Sequence, residues 1–185
     1  MNLIIIRNTE TMSNVQYIVG GRSNENLTER GIKQAKNLKI NLQAIDYDLI
    51  YSSPVNRAIE TANIINYKKL PIIIDERISE RDPGNLLHTS RNRLDKSIWY
   101  DLKHLRTEDG SETLLSLINR TRAFIKELQR KHNDKTIVIV THNSISRVFW
   151  MLNCKEKKSL EEIYTYYQSS DSIQVYENYK LEGVY

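Results

Sequence analysis

Thr136-Ile137-Val138-Ile139-Val140-Thr141, running straight into His142-Asn143, is the stretch that decides how this chain folds. Four consecutive β-branched apolar residues without polar alternation read as a strand buried on both faces. The opening segment Asn2-Leu3-Ile4-Ile5-Ile6 repeats the pattern and ends in Arg7-Asn8-Thr9-Glu10. Shorter strands are predicted from Asp48 to Tyr51 and from Pro71 to Ile74, with a late alternating one from Ser172 to Tyr176. Helical spacing of apolar residues fills the intervals: Glu29 to Ile45, a helix opened by Pro54 and running to about Asn66, Ser111 to His132, and Ser144 to Leu152. Ser159-Leu160-Glu161-Glu162 is a capping box in front of one more. Non-alternating strands separated by helices give an α/β three-layer sandwich, a mostly parallel sheet with helices on both faces.

The chain has 185 residues, 39% of them hydrophobic, with 27 Lys and Arg against 23 Asp and Glu, a formal charge of +4. Nothing in it reads as a linker or an internal repeat, so residues 1–185 are expected to form a single domain, with a variable excursion at about 84–109. Cys154 is the only cysteine, which excludes an internal disulfide and a cysteine-based zinc site. No apolar run approaches the roughly 20 residues needed to span a bilayer, and the first residues lack the charged start and cleavage site of a secretory signal, so a cytoplasmic protein is expected. Its basic residues are interleaved with acids, as in Lys155-Glu156-Lys157-Lys158, which argues against nucleic acid and for a small anionic ligand. A homodimer is compatible with everything so far.

In an open parallel sheet the ligand binds beyond the carboxyl ends of the strands. Those ends deliver Arg7-Asn8-Thr9-Glu10, Ser52-Ser53-Pro54 with Arg57 one turn later, Glu80-Arg81, and His142-Asn143. Two guanidiniums beside helix N-terminal amides are the physical recipe for a phosphoryl group, and a carboxyl group nearby can protonate a departing alkoxide.

At these residues the chain resembles the histidine phosphatase superfamily, in its phosphoglycerate mutase-like branch. Arg7-Asn8-Thr9-Glu10-Thr11 stands where the family has Arg-His-Gly-Glu-Ser or Arg-His-Thr-Glu-Thr, with Asn14 at the family's usual Asn. Leu27-Thr28-Glu29 with Gly31 and Gln34-Ala35, then Ser52-Ser53-Pro54 with Arg57-Ala58 and Thr61-Ala62, then Glu80-Arg81 with Gly84, Gly110-Ser111-Glu112 and Thr141-His142-Asn143 follow in the family's order. The resemblance implies a phosphatase working through a phosphohistidine, formed by a histidine at the position of Asn8. It also implies that Arg7, Arg57 and His142 hold the phosphoryl oxygens and that Glu80 is the general acid. Thr9, Asn14, the loop of Gly21 and the amides around Asn143 would complete the cradle, with no cofactor and no metal.

Position 8 departs from that pattern. A carboxamide nitrogen has its lone pair delocalised into the carbonyl and is no nucleophile. The chain is therefore expected to be inactive or substrate-trapping, either as an isolated replacement in an otherwise complete phosphatase or as a pseudo-phosphatase that binds a phospholigand. The intact remainder of the constellation favours the isolated replacement. A mutase is the third reading; the longer insertion with paired arginines that would hold its intermediate has no counterpart in residues 85–110.

Taken alone, each residue also has an ordinary use. Arg57 could pair with Glu60 one turn on, Glu80 could be a solvated loop acid, and His132 is placed to complement the C-terminal dipole of its helix. His104 is expected to be exposed, and His88, eight residues after Glu80, has an ordinary surface role as its first reading but could line the site mouth. In the excursion, Trp99 and Tyr100 could stack on a substrate ring or pack the segment down, and Arg91, Arg93, Lys103 and Arg106 could meet a second anion. No helical pair of metal ligands is present.

Overall fold

The computed structural model describes residues 1–101, 110–154 and 158–181. Among the described residues five strands form one sheet: β1 (Asn2–Arg7), β2 (Leu49–Ser52), β3 (Ile72–Ile74), β4 (Thr136–Thr141) and β5 (Ile173–Tyr176), in the order β3-β2-β4-β1-β5. The first four are parallel, and β5 closes one edge antiparallel to β1. The expected mixed, mostly parallel sheet is thus the observed one.

The central pair explains its own sequence. β1 and β4 run in register, Ile4 beside Val138 and Ile6 beside Val140, and all four of these side chains are fully buried. They face α2 (Glu29–Leu42) and α3 (Asn56–Ile65), packing with Ala35, Leu38, Ala58 and Ala62. Leu3, Ile5, Ile137 and Ile139 point the other way, against Leu117, Phe124 and Ile125 of α5 (Leu114–Lys131) and Ile145 and Phe149 of α6 (Asn143–Leu152). Two packed faces require apolar residues at every position of a strand, which is why neither segment alternates.

Several boundaries move for local reasons. α2 ends at Leu42, where bonds tighten to three residues and Ile45 N–H reaches Leu42 O at 2.9 Å. α5 starts at Leu114 because the Thr113 hydroxyl accepts from Ser116 N–H at 3.1 Å and caps it. Pro54 stands ahead of the N-cap residue Val55 instead of opening α3. The described residues of the excursion contain two single 3₁₀ turns, Gly84–Leu86 and Arg91–Arg93, and the short helix α4 (Lys96–Trp99). Another short helix, α1 (Met12–Val15), follows β1, and the Ser159 capping box does begin α7 (Leu160–Thr165). Among the described residues no helix is long and apolar enough to cross a membrane.

Topology places the site. The chain passes from β1 to β2, out to β3, and only then inserts β4 between the first two. Asn8 N–H continues the ladder to Thr141 O at 2.8 Å, and Ser53 N–H to Val140 O at 3.0 Å. Three strand ends therefore lie side by side, at the point where the winding reverses.

Candidate active site

Above these strand ends is a cavity of about 320 Å³, with Arg7, Asn8, Asn14, Gly21, Arg57, Glu80 and Asn143 on its wall. Arg7 and Arg57 are only 5% and 4% exposed. Arg7 Nη1 donates to Gln168 O at 2.8 Å, and its guanidinium lies 4.9 Å from the Tyr167 ring centre. Arg57, in the first turn of α3, donates to the carbonyls of Gly21 and Ser23, with Glu25 at 3.8 Å. Burial pulls the Arg57 guanidinium below its ordinary pKa, while Glu80 and Glu25 push it back up. Arginine's ordinary value is high enough that it remains a cation. The Gly21 turn needs its glycine: φ is +48°, and a Cβ there would meet Pro83 at 2.5 Å.

Asn8 is held from behind. Its Oδ1 is 2.9 Å from His142 Nδ1, and its Nδ2 donates to Thr9 O at 2.9 Å. An amide oxygen only accepts, so His142 carries its proton on Nδ1, and Nε2 is left to accept from the Ser53 hydroxyl at 2.7 Å. Burial, reinforced by Arg57, Arg120, Arg7 and Arg22, holds His142 well below its ordinary pKa of 6.5, so the ring is neutral. Two of the expected site residues stand behind the wall. His142 lies behind Asn8 and is fully buried, with both ring nitrogens engaged, instead of lining the phosphoryl pocket. Thr9 is also fully buried and off the wall, its N–H donating to Thr61 Oγ1 at 3.2 Å.

The remaining wall is polar and uneven. Glu80 Oε1 accepts from the next residue's amide, Arg81 N–H, at 2.8 Å. Asn14 Oδ1 accepts from the Thr11 amide and hydroxyl, leaving its NH₂ as the group it offers a ligand. Helix α6 begins at the wall with Asn143 and Ser144, and no side chain caps its first turn. Its outward amides and positive dipole end favour an anion.

Other expectations separate cleanly. His88 is exposed and off the cavity wall, its amide tied to Val19 O at 2.9 Å. Trp99 and Tyr100 do line the cavity, but Arg81 lies 3.8 Å from the Trp99 ring centre and Arg147 lies 4.5 Å from that of Tyr100, so packing occupies both. Arg93 is exposed away from the wall, whereas Arg91 is on it. Lys103, His104 and Arg106 fall outside the described residues. Glu60 accepts from Leu27 N–H at 2.9 Å instead of pairing with Arg57. His132 sits at the C-terminal end of α5, 3.3 Å from the Tyr51 hydroxyl. Among the described residues no cluster of metal-ligating side chains occurs.

Sequence reasoning missed Tyr17, Glu25 and Tyr167 on the wall. They come from irregular segments with no periodicity to flag them.

The family model described as "Histidine phosphatase superfamily (branch 1)" matches residues 3–180. Phosphoserine phosphatase 1 of Hydrogenobacter thermophilus is 32% identical over 157 residues, 81% of this chain and 74% of that protein. The adenosylcobalamin/alpha-ribazole phosphatase of Escherichia coli is 29% identical over 153 residues, 78% of this chain and 75% of that one. Among solved structures, Bacillus stearothermophilus YhfR superposes with a TM-score of 0.83 at 26% identity, covering 95% of this chain and 90% of that one.

Proposed function

The chain belongs to the histidine phosphatase superfamily, and we propose that its cavity takes the phosphoryl group of a small phosphomonoester in a phosphatase-type site. The observation that carries this is the pair of buried guanidiniums, Arg7 and Arg57, facing one cavity with the uncapped start of α6. That is a phosphate cradle built from fixed donors.

With histidine at position 8, an imidazole nitrogen would attack phosphorus as the P–O bond to the leaving group breaks, and Glu80 would give that oxygen its proton. Water would then attack the phosphohistidine, return its proton to Glu80 and free the imidazole. Arg7 and Arg57 would neutralise charge on the equatorial oxygens in both steps. Asn8 supplies no nucleophile, so the chain holds its ligand without turning it over. The otherwise complete constellation supports an isolated replacement at position 8 ahead of a pseudo-phosphatase.

The non-phosphate part of the ligand falls beside Arg91. Arg91 Nε donates to Ile18 O at 2.9 Å, and among the described residues its terminal nitrogens have no ion-pair partner. A second anionic group on the substrate suits that fork. Calorimetry with inorganic phosphate and vanadate tests the cradle: binding is expected, and a folded chain that binds neither anion removes it.

A further inference from the structure

Glu112 lies off the cavity wall, yet five donor atoms converge on its carboxylate. Arg120 Nε and Nη2 donate to its two oxygens at 2.7 and 2.9 Å, Arg22 Nη2 at 3.3 Å, Asp82 N–H at 3.3 Å and the Ser116 hydroxyl at 3.3 Å. Burial opposes its charge, but Arg120, the Asp82 amide and Arg22 outweigh that and hold its pKa below the ordinary value. The two arginines so fixed have a second target in common. Arg22 Nε donates to Glu80 O at 2.8 Å and Arg120 Nη2 to the same oxygen at 3.2 Å.

The Glu80 carbonyl belongs to the peptide whose N–H, that of Arg81, donates to Glu80 Oε1. Rotating that peptide therefore moves the partner that aims the carboxylate. Arg22 also sits between Gly21 and Ser23, whose carbonyls receive Arg57, so one short loop ties the acid to the phosphoryl-facing arginine.

We infer that Glu112, acting through Arg120 and Arg22, is a positioning residue that fixes the Glu80 peptide so that the carboxyl group meets the leaving oxygen. This rests on the proposed role of Glu80 as general acid. Misplacement of a reacting group by about 1 Å can cost on the order of 100-fold.

The test uses the full chain carrying Asn8→His, with Glu112→Gln and Arg22→Met added separately. The Arg22 side chain is 42% exposed, so its replacement leaves the core intact even if Glu112→Gln weakens folding. Rapid-quench phosphoenzyme formation is compared on glycerol phosphate, whose alkoxide needs a proton, and on 4-nitrophenyl phosphate, whose phenolate does not. A loss of about 10-fold or more on the first and less than about 3-fold on the second is expected, the signature of impaired acid catalysis. KM should hold for both substrates, and Glu80→Gln combined with Arg22→Met should lose no more than Glu80→Gln alone. Equal losses on the two substrates, no loss on glycerol phosphate, or multiplicative losses in the double variant would overturn the clamp. Glu80→Gln itself showing no contrast between the substrates would overturn the acid assignment and the clamp with it, whereas contrast in Glu80→Gln alone removes only the clamp.

Discussion

Asn8 Oδ1 accepts from His142 Nδ1 at 2.9 Å, and that contact fixes which nitrogen of His142 carries the proton. Behind it, Ser53 fixes the other nitrogen as an acceptor. The row Asn8, His142, Ser53 is satisfied and neutral, so the residue at position 8 reaches the cavity from a rigid support.

Asn8→His is expected to create turnover on that support. Hydrolysis of an aryl phosphate should rise on the order of 1000-fold or more over the Asn8 chain, since removing a catalytic nucleophile costs at least that much in kcat. An acid-labile phosphoenzyme should accumulate, and chelator should leave the rate unchanged. A variant that binds phosphate with no phosphoenzyme would shift the reading to a pseudo-phosphatase.

Arg57→Ala should weaken phosphate binding by the Asn8 chain about tenfold or more, because it removes a buried charge-assisted donor. Calorimetry at two salt concentrations checks it. Unchanged affinity would place the anion elsewhere.

Arg91→Gln should discriminate among ligands. Phosphomonoesters carrying a carboxylate or second phosphate are expected to lose about tenfold in affinity, and a neutral alkyl phosphate little. Equal losses would assign Arg91 to general electrostatics. Backbone and side chain are both held for such a role: the Arg91 amide donates to Tyr17 O at 3.1 Å, Ser90 bridges to Ile18, and Arg91 Nε donates to Ile18 O at 2.9 Å.

His142 sets a pH dependence. Its folded pKa lies well below 6.5 because of burial and nearby arginines, so below pH 6.5 the unfolded chain binds a proton that the folded chain does not. Stability should therefore fall with decreasing pH, starting near 6.5, by about 1.4 kcal/mol per pH unit from this group. Denaturant melts of the chain and of His142→Gln, compared from pH 7 to 5, check it; the same slope in both would contradict it.

Phe124 is fully buried, with its ring edge-to-face against Tyr51 at 5.5 Å. Phe124→Ala should cost about 3–5 kcal/mol by cavity formation, read from chemical unfolding.

What the sequence revealed depended on regularity. Ile4, Ile6, Val138 and Val140 announced a doubly covered sheet because both faces demand apolar residues, and Arg7, Arg57, Glu80 and Asn143 could be placed because each follows a recognisable element. Thr9 and His142 were harder. They sit at the same strand ends, and only the packing of Thr61 and Ser53 against them shows that they face inward. Tyr17 and Tyr167 reach the cavity from turns whose course is set by distant contacts. The Glu112 carboxylate joins Arg22 and the Asp82 amide to Ser116 and Arg120 of α5, a relation no spacing along the chain encodes.

The late insertion of β4 has a consequence for the order in which this molecule becomes competent. Until β4 is seated, β1 and β2 flank a gap one strand wide, and their ends stand roughly 10 Å apart, twice the spacing of neighbouring strands. Arg7 and Asn8 then have no His142 behind them and Ser53 has no imidazole to meet. Closing that gap joins residues far apart in sequence, Asn8 to His142 at 134 positions and Ser53 to His142 at 89, contacts of the long-range kind that slow folding. Phosphate affinity should therefore require the completed sheet, which makes a bound anion a reporter of that sheet and a source of stability for that state alone.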